Sequence, residues 1–150
     1  MRNDLLQQVN PILLDWVGPL LLYPTELRRI PVGIPGVYLL HAVAPAQGGY
    51  ATFYVGKSID LRQRLLRHLG QRSAKPSVRA ARELDWAYWS AAPVLNTALL
   101  APIEAGLIRA LRPVCNNQVP RAEPTLVNLP PLSLLTTIQE DDRNDDYQLT

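Results

Sequence analysis

The spacing of hydrophobic and polar positions changes several times along this chain, and each change marks a predicted element. Residues 1–30 are rich in leucine but broken by Pro11, Gly18 and Pro24. They predict one or two short helices packed on a neighbouring domain. From Gly36 the pattern becomes Gly36-Val37-Tyr38-Leu39-Leu40-His41-Ala42-Val43, then a turn-like Pro45-Ala46-Gln47-Gly48-Gly49, then Ala51-Thr52-Phe53-Tyr54-Val55-Gly56. Two apolar runs about such a turn predict a β-hairpin. Helical spacing follows in Leu61, Leu65 and Leu69, with Asp60 as N-cap and Gln63 placed three residues later as in a capping box. A further helical stretch is expected over 77–84. The alternation in Trp86-Ala87-Tyr88-Trp89-Ser90 suggests a third strand, and a longer helix is expected from about Pro102 to Leu111, ended by Pro113.

The chain therefore divides into an N-terminal helical extension (1–30), a central α+β domain (31–118) and a tail (119–150). Pro120, Pro124, Pro130, Pro131 and an acidic end make that tail extended or disordered. At 150 residues, 47% hydrophobic and 19% charged, the chain has enough apolar material for one buried core. Its single cysteine, Cys115, excludes an internal disulfide, and with two histidines it cannot complete a four-ligand structural zinc site. No apolar run reaches membrane-spanning length, and Met1-Arg2-Asn3-Asp4 lacks the basic and apolar stretches of a secretory signal. The expectation is a soluble protein in a reducing, cytoplasmic setting, with no membrane partner.

Net charge is only +2, but Lys57, Arg62, Arg64, Arg67, Arg72, Lys75, Arg79 and Arg82 are eight of the fifteen basic residues, and only Asp60 interrupts them before Glu83. Such a band suits phosphate contacts, although a solvated helical face would look the same. Within the last helix, a wheel at ~100° per residue with Ile103 at zero puts Leu107, Leu111 and Ile108 at roughly 40°, 80° and 140°. Glu104 falls near 100°, inside that apolar arc. An inward carboxylate requires an arginine, a cation or a hydrogen-bond network, whereas an acid in a first helical turn also suits the helix dipole. Arg64 and His68, four residues apart, share the rim of the leucine stripe, where they could grip a phosphate. Tyr38 and Tyr54 sit among small and aliphatic residues near Gly36 and Gly56. A free phenol titrates too high to act as a base unless a cation lies near, and Lys57 is a candidate for that cation.

Gly36-Val37-Tyr38 and Tyr54-Val55-Gly56-Lys57, Arg64 ten residues after Tyr54, and Glu104 twelve before Asn116 together resemble the GIY-YIG nuclease domain. The resemblance covers about residues 31–118. Ile34-Pro35-Gly36-Val37-Tyr38 and Glu104-Ala105-Gly106-Leu107-Ile108-Arg109, running to Arg112-Pro113 and Asn116, look like the N-terminal nuclease of the bacterial excision-repair incision subunit. His68 departs from that branch, which commonly has tyrosine there, and is similar to the homing and restriction members. The hairpin loop also departs, being longer than in many relatives by Pro45 to Tyr50.

The resemblance implies a small α+β domain around a three-stranded antiparallel sheet flanked by helices, and a metal-dependent endonuclease hydrolysing DNA phosphodiester bonds. It implies Glu104 as ligand of one Mg²⁺ or Mn²⁺, and Tyr38 as general base or water-orienting group with Lys57 lowering its pKa. Tyr54, Arg64 and His68 would face the phosphate, and Asn116 would brace the site. Lys57, Arg62, Arg67, Arg72, Lys75, Arg79 and Arg82 would contact DNA. Two other readings stay open: a non-catalytic nucleic-acid-binding module, and a nuclease directed by a partner protein through residues 1–30 or the acidic tail. A homodimer is a further possibility.

Overall fold

A computed structural model describes residues 11–69, 87–116 and 121–133. Four antiparallel strands form one sheet: β1 (Val17–Leu21), β2 (Gly36–Ala44), β3 (Gly49–Ser58) and β4 (Tyr88–Pro93), in the order β1-β4-β2-β3. Among the described residues the helices are the four-residue α1 (Pro24–Leu27), α2 (Leu61–Leu69) and α3 (Leu100–Leu111). Among the described residues no helix is long and apolar enough to cross a membrane.

The expected hairpin is β2 and β3. A 3₁₀ turn over Pro45–Gln47 reverses the chain, and Gly48 follows at φ 72°, a left-handed conformation that glycine adopts without strain. Strand alternation assigns the side chains of β2 to opposite faces, and α2 covers one face and α3 the other, so both are buried. This is why Val37-Tyr38-Leu39-Leu40 reads as a continuous apolar run and carries no period of two. On one face Tyr38, Leu40, Tyr54, Trp89 and Ala91 pack with Leu61 and Leu65 of α2 and with Leu27 and Ile30. On the other face Val37, Leu39, Val55 and Ala92 pack with Leu100, Ile103 and Leu107 of α3. The pairing slips between Leu40↔Tyr54 and His41↔Thr52, so Phe53 is an extra residue on β3 and joins Tyr54 in the first core.

Two expectations are corrected. The sheet has four strands where three were expected, and the fourth comes from the segment expected to be a helical extension. β1 pairs with β4 through Val17↔Ala91 and Leu20↔Trp89, and α1 is the only helix among the described residues before β2. The leucine-rich run is equally apolar in either conformation, and the open edge of β4 decides in favour of the strand. Pro19 is tolerated because β1 is itself an edge strand and one of its sides needs no ladder donor. Gly18, at φ 102°, lies against the Trp89 carbonyl with no room for a Cβ.

Around α2, Asp60 Oδ1 accepts from the Gln63 amide at 3.2 Å, as a cap should. The Asp60 amide, however, donates to Ser58 Oγ at 3.0 Å and not to the Gln63 side chain. Helix α3 starts two residues earlier than expected, after a 3₁₀ turn over Thr97–Leu99 capped by Asn96. It ends at Arg112 in the left-handed conformation, directly before Pro113. The helix expected over 77–84 lies outside the described residues.

The described part of the tail, 121–133, is extended and lies across the domain. The Thr125 amide donates to the Pro102 carbonyl at 3.0 Å, against Gly106, where a Cβ would strike the Thr125 carbonyl. Asn128 then binds both backbone groups of Leu14, accepting from its amide and donating to its carbonyl, while Trp16 Nε1 donates to the Asn128 carbonyl at 2.8 Å. Finally the Tyr50 amide donates to the Leu132 carbonyl at 2.8 Å, beside the Gly49↔Ser133 bridge. The strap thus fastens residues 12–16 to the rest of the domain. Replacing Asn128 with alanine leaves two part-buried backbone groups of Leu14 unpaired, for an expected loss of about 2 kcal/mol in urea unfolding. An unchanged midpoint would mean that the strap contributes nothing to stability.

Candidate active site

The register of the hairpin places the functional side chains. Tyr38 pairs with Gly56 and Val37 with Lys57. Cross-strand partners share a face, so Tyr38 and Lys57 point to opposite sides of the sheet. Two groups result, on either side of the Gly56–Lys57 stretch of β3.

The first group is aromatic and buried. Tyr38 is fully buried, with its hydroxyl over Gly56, where a Cβ would collide with the phenol ring and oxygen. Tyr38 Oη lies 2.8 Å from His68 Nε2, and Arg64 Nε donates to it at 3.4 Å. The rings of Tyr38, Tyr54 and His68 enclose one another, with centroid separations of 6.0 Å between the tyrosines and 5.5 Å from each to the imidazole. Burial, and then the neighbouring Tyr54, push the Tyr38 phenol above its ordinary range, and Arg64 opposes the rise. Burial, and then the Arg64 charge, lower the His68 imidazole to about 4. His68 is therefore neutral at physiological pH and can accept the phenolic proton at Nε2. The Arg64 guanidinium is held in its charged form, first by its hydrogen bond to Tyr38.

The second group is polar. Lys57 Nζ lies 3.9 Å from Glu104 Oε1 on α3, with 45% of the lysine side chain and 19% of the glutamate side chain exposed. Burial raises the Glu104 pKa, and Lys57 opposes this. The carboxylate is thus half-buried at the solvent edge of the helix's apolar face, with a cation beside it. Lys57 was expected to act on Tyr38. It faces Glu104 instead, and the cation that touches the phenol is Arg64. The reason is strand alternation: Tyr54 and Lys57 are three residues apart on β3, an odd spacing that puts them on opposite faces.

Asn116 acts on the backbone. Its Oδ1 accepts from the Val55 amide and its Nδ2 donates to the Val55 carbonyl, both at 2.9 Å, while the Cys115 amide donates to the Phe53 carbonyl at 2.9 Å. Residues 115–116 therefore occupy the open edge of β3 and hold straight the strand that carries Tyr54, Gly56 and Lys57. Of the expected DNA contacts, Arg62 is half-buried and Arg67 is exposed on α2. Arg72, Lys75, Arg79 and Arg82 lie outside the described residues. Sequence reasoning missed His41, buried on β2 with Nδ1 2.8 Å from Thr52 Oγ1 and Nε2 2.8 Å from Ser90 Oγ. No motif marks it, since its partners come from two other strands.

The residues around Glu104 can be tested against a metal. Among the described residues no three His, Cys, Asp or Glu side chains converge, which does not fit zinc. Magnesium and manganese accept one carboxylate, water and phosphate oxygens, so a single solvent-reachable glutamate fits them.

No family model matches the chain. It is 31% identical over 102 residues to excinuclease Cho of Salmonella typhi and, over the same length, 31% identical to that of Escherichia coli K12. Each match covers 66% of this chain and 32% of the relative, so the chain spans about a third of the length of these curated relatives. Among solved structures, a point mutant of the GIY-YIG N-terminal endonuclease domain of UvrC from Thermotoga maritima, bound to its catalytic divalent cation, aligns with a TM-score of 0.49 at 24% identity. That alignment covers 62% of this chain and 97% of the other. The magnesium-bound form of that domain aligns with a TM-score of 0.47 at 26% identity, covering 61% and 96%. The fold is α+β, with the two tyrosine strands paired as a hairpin, and the sequence is similar to excinuclease Cho over 102 residues.

Both histidines stay neutral when buried, at about 4 against an ordinary 6.5. Between those values the unfolded chain binds protons that the folded chain does not, so stability is complete above pH 6.5 and falls as the pH drops toward 4. The expected loss is a few kcal/mol in total. Urea titrations across pH 4–7 check it, and His41→Gln should show a shallower slope than the wild type. A stability flat over that window would contradict both buried imidazoles.

Proposed function

We propose that this domain is a metal-dependent endonuclease that hydrolyses phosphodiester bonds in DNA. The observation that supports this reading best is the Tyr38–His68–Arg64 cluster, a buried phenol held between a neutral imidazole and a guanidinium. It stands across the Gly56–Lys57 backbone from a half-buried carboxylate.

In this reading Arg64 binds the scissile phosphate, and its movement toward that anion releases the long 3.4 Å contact that helps seal the Tyr38 hydroxyl. The exposed phenol oxygen then accepts a proton from the attacking water as its own proton passes to His68 Nε2, 2.8 Å away. The water oxygen forms the new bond to phosphorus, the bond to the leaving sugar oxygen breaks, and that oxygen takes a proton from solvent. His68, a weak base in its buried site, returns its extra proton to solvent. Charge building on the phosphoryl oxygens is met by Arg64 and by Lys57. Glu104 would hold one Mg²⁺ or Mn²⁺, which supplies positive charge to the phosphoryl group and the departing oxygen. Tyr54 packs against the phenol and the imidazole and fixes their orientation, and Asn116 holds the β3 backbone. Arg62 and Arg67, with Arg72, Lys75, Arg79 and Arg82 beyond the described residues, supply sequence-independent phosphate contacts.

Plasmid cleavage tests this. Nicking or linearisation is expected with Mg²⁺ and not with EDTA, and it should fall at least about a hundredfold in Glu104→Ala and in Arg64→Ala with the fold retained. Equal cutting by the wild type and Glu104→Ala would remove the assigned metal ligand. Salt-sensitive DNA binding with no cutting under any metal would leave the binding-module reading in its place.

A further inference from the structure

Three loops meet at the end of the sheet beside the candidate active site, and each exposes one large apolar side chain. Val32 precedes β2, Ile59 lies between β3 and α2, and Leu95 lies between β4 and α3, with 71%, 75% and 76% of their surface exposed. The register brings these loops together, because Gly36 pairs with both Ser58 and Pro93. Backbone hydrogen bonds then join them: the Leu61 amide donates to the Ile34 carbonyl at 2.9 Å, and the Val94 amide to the Pro35 carbonyl at 2.8 Å. Ser58 Oγ donates to the Asp60 carbonyl and accepts from the Asp60 amide, and Asn96 caps the turn after Leu95. The tips are apolar, but the loops that carry them are tied down.

We propose that Val32, Ile59 and Leu95 form an apolar rim that inserts against the bases of a DNA duplex and unstacks them beside the scissile phosphate. The choice of nucleic acid rests on the nuclease reading above, and three observations support it. The rim lies at the sheet end just past the last pairs, Gly36↔Ser58 and Gly36↔Pro93, with Ile59 two residues after Lys57 and Leu95 two after Pro93, on the side toward which a strand held between Arg64 and Glu104 can extend. Lys57, Arg62 and Arg64 stand on the adjoining strand end and first helical turn, placed to hold phosphates on either side of an unstacked step. Each tip is more than two-thirds exposed, so most of its apolar surface is open to a partner. Three such side chains bury far less than the roughly 800 Å² per partner of a stable protein interface, whereas single apolar prongs are what wedges base steps apart.

The test uses DNA hairpins with 2-aminopurine spread along one strand, with Ca²⁺ replacing Mg²⁺ so that binding is read without cutting. The full chain should raise 2-aminopurine fluorescence about threefold on binding. The Val32→Ser/Ile59→Ser/Leu95→Ser variant should lose most of that rise, Ile59→Ser alone should lose part of it, and Leu126→Ser, at an exposed apolar residue on the strap, should keep it. No rise with the wild type, or an equal rise with the triple variant, would overturn the rim's role. So would a triple variant that keeps the signal but changes sedimentation, since the rim would then join copies of the chain. Plasmid cutting with Mg²⁺ is scored separately: unstacking without cutting keeps the rim and rejects the nuclease.

Discussion

The space above Gly56 is filled by the phenol of Tyr38, and much of the rest of the domain holds that contact in place. It exists because β2 and β3 pair in one register, Tyr38 opposite Gly56 and Val37 opposite Lys57. A slip of one residue would pair Tyr38 with Val55 or Lys57, putting the phenol and the lysine on the same face of the sheet and merging the two groups. The register is protected from several directions. Both faces of β2 are buried, a bulge at Phe53 sets the pairing on the turn side, and Asn116 grips the outer edge of β3 at Val55.

Separation by the sheet gives the two groups different electrostatics. On the α2 side, burial keeps the His68 imidazole uncharged and makes the Tyr38 phenol reluctant to ionise, with Arg64 as the compensating charge. On the α3 side, Glu104 and Lys57 share a partly wet environment in which neither charge is fully desolvated. A proton acceptor and a charge-binding carboxylate can thus be tuned independently although only the β3 backbone stands between them. A carboxylate placed directly beside the phenol would instead have made its ionisation still harder.

The strap from Thr125 to Ser133 gives the domain a second layer of restraint. It covers Gly106 on α3, ties down Leu14 and Trp16, and reaches the start of β3 at Tyr50. Two asparagines solve the same problem at separate places. Asn116 and Asn128 each satisfy the amide and the carbonyl of one residue that has no strand partner on that side.

The hairpin, the cap at Asp60, the leucine stripe of α2, the end of α3 at Pro113 and the inward lean of Glu104 could all be read from the chain, because each depends on neighbours within a few residues. The same holds for the roster Tyr38, Tyr54, Arg64, His68, Glu104 and Asn116, whose order and spacing are properties of the sequence. Which of them touch was decided only by folding. Lys57 is three residues from Tyr54 and yet serves Glu104, because strand alternation and a pairing 47 residues further along the chain choose its side. The N-terminal segment became strand β1 because an edge of β4 was available, and the proline-rich tail became a strap because Leu14, Tyr50 and Pro102 offered it backbone to bind and Gly106 left it room. Local periodicity records which face of an element is apolar, but not which distant element will cover it.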